Sequence, residues 1–378
     1  MMDLEMTRVA EKKENLVYIL HNIETGGVEV ALLSAIPALC RQFNLAVVVL
    51  GRVHPELIAH FSESERTVFK EFNFPLYSFP FKINAIISYI TSLEPDKVIS
   101  SLWRASLVGA ILKKRLPQTR FYAFIHSTKL FHAADASCTR LAVRRADCVF
   151  VDAVSTGEFV KRKYAPQAEI RVISFLTHNT PEINPRFQRP INMMEGEVRF
   201  LFLGRIFKVK NLPEIIVFIK VLRKEGINAV LDVYGRPGDD YQDSLTKAKS
   251  LGLEDQVQFK GEIHFNERFS LFPEYDFLIQ FSSFEGMAMS VAEAMQNGLV
   301  PVVTPVGEIP NYAEDGKSAI FVNIADESAR NVSAKRLEEV IREDTLYRKL
   351  SENAFKAFYH RRCYAESLLQ NLLDVQSA

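Results

Sequence analysis

Short apolar, β-branched runs recur through the first half of the chain: LVYIL (16–20), LAVVVL (45–50), DKVISSL (96–102), RFYAFIH (120–126), DCVFVDAVS (147–155) and IRVISF (170–175). Each is short enough for a strand buried on both faces, as strands of parallel sheets are. Between them lie segments with helical spacing, such as Val28 to Arg41 and Ser106 to Arg115, so the pattern reads β then α, repeated. That alternation predicts a doubly wound parallel sheet.

The rhythm breaks at THNTPEINPRFQRPINMMEGE (177–197), which has three prolines, three asparagines and no periodicity. A linker is expected there. A second array follows: VRFLFLG (198–204), AVLDVYG (229–235), QVQFKG (256–261), DFLIQFS (276–282), LVPVVTP (299–305) and AIFVN (319–323). Helical spacing fills the gaps at Leu212 to Glu225, Tyr241 to Leu251, Ser290 to Asn297 and Ala334 to Ile341. The expected fold class is α/β, with two Rossmann-like doubly wound parallel-sheet domains facing an interdomain cleft. The domains expected are 1–180, a linker 181–197, 198–345, and a long helical segment 346–378 able to pack back on the first domain.

Length agrees with this division, since 378 residues exceed one ordinary core, which stops growing at roughly 250. Apolar residues at 48% and charged residues at 24% give globular composition. The 46 basic and 46 acidic residues cancel, which gives no reason to expect a nucleic-acid partner. The balance hides an asymmetry: residues 1–190 carry a net +6 and residues 191–378 a net −6. Most of the excess lies in 101–165, with 12 basic against 4 acidic residues. It reads either as a solvated face or as a surface meeting lipid headgroups or a phosphorylated acceptor. Cys40, Cys138, Cys148 and Cys363 have neither paired nor metal-ligand spacing and read as reduced packing residues of a cytoplasmic protein. The polar start, MMDLEMTRVAEKKEN, lacks a signal peptide's apolar stretch, and no later run nears the ~20 residues that span a bilayer, so membrane contact is expected to be peripheral at most.

In open α/β sheets ligands bind beyond the carboxyl ends of the strands, where helix N-termini favour phosphate. Four such turns stand out. In HNIETGGVEVALLS, Gly26 and Gly27 precede a helix and would let backbone approach a ligand closely; a plain turn is the alternative, and GxGxxG is absent, so no dinucleotide is indicated. In LGRIFKVKN, Arg205 and Lys210 leave one strand-to-helix turn, either as two cations converging on a diphosphate or as a solvated pair. In FSSFEGMAMSVAEAMQNG, Glu285 stands at the mouth of a buried strand, suited to accepting from hydroxyls, with Gly286 and the N–H groups near Met287 and Ala288 beside it. Ser290 and Glu293 there read as a capping box. In FIHST, His126 ends an apolar strand, as a core histidine or as a hydrogen-bond donor toward the cleft.

Taken in order, these turns resemble family 4 of the retaining glycosyltransferases, within glycosyl transferases group 1, which have the GT-B fold. Glu285-x7-Glu293 in FEGMAMSVAEAMQNGLVPVVTPVGEIPNYAEDGKSAIFV is similar to that family's donor-sugar segment, LGRIFKVKN to its diphosphate turn, and TGGVEVAL to its N-terminal glycine loop. LGLEDQVQFKGEI is similar to a further donor-site segment. The sequence departs from the pattern at Leu176 to Asn179, where an Asn-Gly pair is usual, at Asn211, where glycine is common, and at Met287 and Met289.

The resemblance implies a retaining, metal-independent enzyme with a nucleotide-diphosphate sugar as donor and no cofactor. Arg205, Lys210 and the Gly26–Gly27 loop would stabilise the leaving diphosphate, Glu285 would bind donor-sugar hydroxyls, and Glu293 the ribose. A phosphate oxygen would act as base. No DxD occurs in the sequence, and no paired carboxylates at hydrolase spacing are evident. The acceptor expected is a glycan or lipid-linked glycan in cell-surface polysaccharide or lipopolysaccharide synthesis. The alternatives are a silent sugar-nucleotide or glycan-binding scaffold and a GT-B-type sugar-nucleotide epimerase.

Overall fold

The computed structural model describes residues 12–373 apart from 75, 131, 189–192, 194, 195, 265 and 266. The start of the chain and part of the expected linker therefore lie outside the described residues. The chain divides into two compact units. Unit 1 takes the described residues of Met1–Asp152, Thr156–Ile173 and Tyr364–Ala378; unit 2 takes those of Ala153–Ser155 and Ser174–Cys363.

Unit 1 holds seven strands: β1 (Asn15–Leu20), β2 (Asn44–Val49), β3 (Phe69–Glu71), β4 (Lys97–Ser101), β5 (Arg120–Ile125), β6 (Cys148–Val151) and β7 (Glu169–Val172). All pairs are parallel, in the order β3-β2-β1-β4-β5-β6-β7, with Ile19 opposite Ser100 in the β1–β4 register. Val17, Ile19, Val98 and Phe121 are buried among Ile86, Ile90, Val108 and Leu112 of the flanking helices. Three of the four strand positions, Val17, Ile19 and Val98, are β-branched and lie under helical side chains, so the parallel sheet is covered rather than half solvated.

Unit 2 repeats the plan with β8 (Val198–Leu203), β9 (Ala229–Tyr234), β10 (Val257–Gly261), β11 (Phe277–Gln280), β12 (Val300–Val303) and β13 (Ile320–Phe321). Their order is β10-β9-β8-β11-β12-β13, again parallel. Phe200 and Phe277, opposite each other in the register, stack at 5.2 Å between centroids. In each sheet the chain winds outward one way from the central strand and then the other way from its neighbour. The switch points lie between β1 and β4 and between β8 and β11, where open α/β sheets take ligands.

Several expected boundaries change. The run 147–155 is strand only to Val151, and the helix Val154–Tyr164 follows. The described part of the expected linker is packed into unit 2: Arg186 is 1% exposed, pairs with Asp276, and donates through Nε to the Tyr347 hydroxyl at 2.9 Å. The single long final helix is two, Asp344–Lys356 in unit 2 and Tyr364–Leu373 in unit 1, interrupted by the polar stretch Tyr359 to Cys363. The second of these packs on the helix Gly27–Gln42.

Candidate functional site

The turns that follow β8 and β11 are joined into one structure at the switch point of unit 2. After β8 the chain makes a short 3-10 turn, Lys208–Lys210, and Asn211 takes a left-handed conformation (φ 51°, ψ 44°) before the helix Leu212–Lys224. That conformation explains a preference for glycine there, and asparagine is the side-chain-bearing residue that tolerates it best. Asn211 also donates through Nδ2 to the Phe281 carbonyl at 2.8 Å, while the Ser283 amide donates to Val209 O at 2.8 Å.

The third tie is ionic. Lys210 Nζ donates to Glu285 Oε1 at 2.6 Å, with the two side chains 18% and 10% exposed. The same oxygen accepts from Gln280 Nε2 at 2.8 Å and Ser282 Oγ at 2.5 Å. Among the described residues no donor reaches Oε2 of Glu285. Charge-assisted bonds of this kind hold the carboxylate in one orientation.

Beyond Glu285 the backbone is held by a neighbouring loop. The Glu308 amide donates to Gly286 O at 3.0 Å, and the buried Tyr312 hydroxyl donates to Met287 O at 3.1 Å. Burial, with Glu285 and Glu308 nearby, pushes the Tyr312 phenol well above its usual range, so it remains a donor. Gly307 (φ +62°) permits this approach, because a Cβ there would stand 2.4 Å from the Glu285 carbonyl oxygen. Ala288 enters the left-handed region (φ 54°, ψ 61°) as the N-cap of the helix Met289–Gln296. A non-glycine residue there costs on the order of 1–3 kcal/mol and persists where surroundings over-determine it.

Arg205 is exposed, with its guanidinium 5.1 Å from the Phe207 ring centroid. A groove of about 280 Å³ is lined by Arg205, Phe207, Lys208, Val209, Lys210 and Asp239. The two expected cations thus share one groove, and Lys208 adds a third, unremarked in the sequence because KVKN drew attention only to its second lysine. Lys208 is fixed by its amide, which donates to Asp239 Oδ1 at 2.9 Å.

Glu293 departs from its expected surroundings. Ser290 bonds Gln280 Oε1 at 3.0 Å from inside the helix, and Ala288 is the cap, so no capping box forms. Glu293 is fully buried in the following turn, where Oε1 accepts from Arg268 Nη2 at 2.5 Å and Thr177 Oγ1 at 3.2 Å. Burial pushes its carboxyl up, while Arg268 and Thr177 pull it down. Oε2 of this buried group has no hydrogen-bond partner among the described residues. Thr177 also bonds the His178 ring at 3.0 Å, and the His178 and Phe269 ring centroids lie 3.9 Å apart, so residues standing where Asn-Gly is usual pack around this buried ion pair. No motif announced Arg268, which comes from a short helix, Arg268–Leu271.

The remaining predicted residues belong to unit 1. Gly26 is the N-cap of the helix Gly27–Gln42 in extended conformation (φ −138°, ψ 162°). The buried Glu29 carboxylate sits beside it, with Oε2 2.2 Å from where a Gly26 Cβ would be. A negative group already complements that helix N-terminus. His126 has only 6% of its side chain exposed, with Nε2 3.0 Å from Ser101 Oγ and Nδ1 3.9 Å from Asp152 Oδ2. Ser101 bonds the Tyr18 hydroxyl at 2.7 Å, which lies 3.2 Å from the Tyr364 hydroxyl. Burial pushes His126 down to about 3, so the ring is neutral at pH 7.

Among the described residues no group of three or more His, Cys, Asp or Glu could hold a metal ion. Nor is any described helix long and apolar enough to cross a membrane.

Two parallel sheets in these strand orders define a GT-B fold, the class of the Anabaena HepE complex with UDP and glucose, which superposes with a TM-score of 0.76 at 15% identity over 97% of this chain and 100% of that one. Residues 184–357, within unit 2, match the family model described as "Glycosyl transferases group 1". Among curated relatives, the chain is 23% identical over 177 residues to the N-acetyl-alpha-D-glucosaminyl L-malate synthase of Bacillus anthracis, covering 47% of this chain and 44% of that one. It is 25% identical over 203 residues to the GDP-mannose:cellobiosyl-diphosphopolyprenol alpha-mannosyltransferase of Xanthomonas oryzae pv. oryzae, covering 51% and 52%. The match spans about half the length of these curated relatives.

Proposed function

We propose that this chain is a retaining, metal-independent glycosyltransferase that takes a sugar from a nucleotide-diphosphate donor bound by unit 2. The observation that carries the reading is the asymmetric use of Glu285: Oε1 is saturated by Lys210, Gln280 and Ser282, and Oε2 is left for hydroxyls that the protein does not supply. Arg205, Lys208 and Lys210, lining one groove beside it, offer the positive charge that a departing diphosphate requires. The Gly286–Ala288 turn is held in the same structure through its carbonyls, which accept from the Glu308 amide and the Tyr312 hydroxyl.

Cleavage of the donor transfers the anomeric carbon from the phosphate oxygen to the acceptor oxygen, and the acceptor's proton passes to a phosphate oxygen. Attack from the face that the diphosphate leaves gives retention. Glu285 would orient the sugar ring, and the cations would stabilise the leaving group. Neutral His126 would act as a positioning group rather than as a charge, since its own ring is held by Ser101. Glu293 would meet the ribose only if Arg268 moved aside, because the carboxylate is enclosed.

The acceptor in this reading is a glycan or lipid-linked glycan of a cell-surface polysaccharide or lipopolysaccharide. The Xanthomonas relative's name places a diphosphopolyprenol on its acceptor. Tyr77 and Phe81, 82% and 85% exposed beside Lys82, together with the basic stretch 101–165, suit peripheral contact with an anionic bilayer.

Radiolabelled UDP-, GDP- and ADP-sugars, each offered with a panel of acceptors, test the activity. Transfer by the wild-type chain and its loss in a folded Glu285→Ala variant are expected. Label released as free sugar or an isomerised donor without acceptor would favour an epimerase or hydrolase, and binding without turnover a scaffold.

A further inference from the structure

We propose that the turns after β1 and β4 form a binding site for an anion in unit 1, with Arg104 as its charge and Trp103 and His21 as its walls, so that the acceptor hydroxyl is carried on a molecule bearing a phosphate or carboxylate. Only the word acceptor rests on the transferase reading; the binding of the anion does not.

The site lies at the switch point of the first sheet, where β1 and β4 are neighbours and their following turns diverge. The two turns are fastened together, since the Arg104 amide donates to His21 Nε2 at 3.0 Å. Because Nε2 accepts, the imidazole proton resides on Nδ1, and no described residue takes that donor. Burial and then Arg104 push His21 down to about 3, so it stays a neutral donor.

Leu102 stands between β4 and these residues at φ 73°, ψ 161°, a region that only glycine enters freely. Such strain persists where the neighbouring structure enforces it and clusters at functional sites. Immediately after it, Trp103 is set edge-on between two imidazoles, 5.9 Å from His21 and 5.1 Å from His132.

Arg104 is half-buried, and burial alone pushes its guanidinium down. Its side chain lies 5.9 Å from the Phe79 ring centroid and forms no ion pair with any described residue. Arg145 and Arg223, shielded to a similar degree, have carbonyl oxygens instead, of Ala110 for the first and of Asn228 and Ala229 for the second, whereas no hydrogen-bond acceptor among the described residues reaches the Arg104 guanidinium. A half-shielded guanidinium fork with no partner is open to a bound phosphate or carboxylate, which it can grip with two parallel bonds.

Trp103 is the sole tryptophan, so intrinsic fluorescence of the full chain reports directly on this site. Titration with sn-glycerol 3-phosphate is expected to give a saturable change that equal concentrations of glycerol do not. Vesicles of phosphatidylglycerol against phosphatidylcholine, run in parallel, separate a lipid headgroup from a soluble phosphate as the source. Arg104→Gln is expected to weaken the response at least tenfold while far-UV circular dichroism and nucleotide binding stay unchanged. Arg104→Lys, which keeps the charge but loses the fork, is expected to weaken it severalfold, and it serves alone should the Gln variant not fold. No response to either anionic probe, an equal response to glycerol, or undiminished affinity in the folded variants would overturn the proposal. Failure of nucleotide sugars to bind would instead remove the transferase reading and leave the anion site standing.

Discussion

Lys210 and Glu285, 75 positions apart in sequence, share a 2.6 Å ion pair at one oxygen of the carboxylate while the other oxygen receives no bond from any described residue. The pair joins the turn after β8 to the turn after β11, so the groove beside Arg205 and the carboxylate behind it form one element. Two backbone and side-chain bonds, Ser283 to Val209 and Asn211 to Phe281, hold the turns together without it.

Removal of either partner should therefore disable the site without unfolding the chain. Lys210→Ala and Glu285→Ala are each expected to lower transfer by about 10²–10³-fold, the range seen when one preorganised electrostatic contact is lost. The double variant should lose little more than either single one, because residues acting as a unit are not additive. Steady-state rates with circular dichroism as a folding control check this. Independent, multiplicative losses would show that the pair does not act together.

Glu293 should behave differently. Glu293→Ala leaves Arg268 shielded and without its partner, and the expected loss is roughly 3 kcal/mol of unfolding free energy by urea titration. Glu293→Gln, which keeps a hydrogen-bond acceptor for Arg268, should lose less. An alanine variant as stable as wild type would place Arg268 elsewhere in solution.

Asp276 and Arg186 form the most enclosed ion pair among the described residues of unit 2, with side chains 4% and 1% exposed. Arg186→Ala should cost about 3–5 kcal/mol, since it strands a buried carboxylate. Chemical denaturation measures the loss, and a cost below about 1 kcal/mol would contradict the packing of the segment before β8.

His126 predicts how stability varies with pH. Its folded value of about 3 lies below the ordinary imidazole value of 6.5, so between those values the unfolded chain binds the extra proton. Stability contributed by the neutral ring is thus present above about pH 6.5 and is lost as pH falls, by about 1.4 kcal/mol per pH unit per such group. His21, also pushed down to about 3, acts in the same direction. The melting temperature should drop on going from pH 7 to pH 5, and less steeply in His126→Gln. An identical slope in that variant would show that the ring titrates normally.

The sheets were legible because their strands are short, mostly apolar runs such as LVYIL and VRFLFL, recurring between segments of helical spacing. β3 was not, because FKE is three residues long with two of them exposed. The helix Phe79–Ser92 escaped because FPFKINAIISYITS carries a proline in its first turn and β-branched residues that blur its period. At the site, Arg205, Lys210 and Glu285 could be found from their places after strands. Which partners each would take could not. Ser290 and Glu293 satisfy a local capping pattern, but a tertiary bond to Gln280 and a buried pair with Arg268 prevail over it. Lys208 adjoins Lys210 in the groove only because the chain tightens there into a 3-10 turn.

The central claim is that the groove of Arg205, Lys208 and Lys210 holds the diphosphate of a nucleotide sugar. The most direct measurement is isothermal titration of UDP-, GDP- and ADP-sugars into the wild-type chain and into the Arg205→Ala, Lys210→Ala double variant. One nucleotide class binding the wild type, with affinity at least a hundredfold weaker in the folded double variant, is the predicted result. Binding that is unchanged by removal of both cations, or no binding by any of the three, would contradict it.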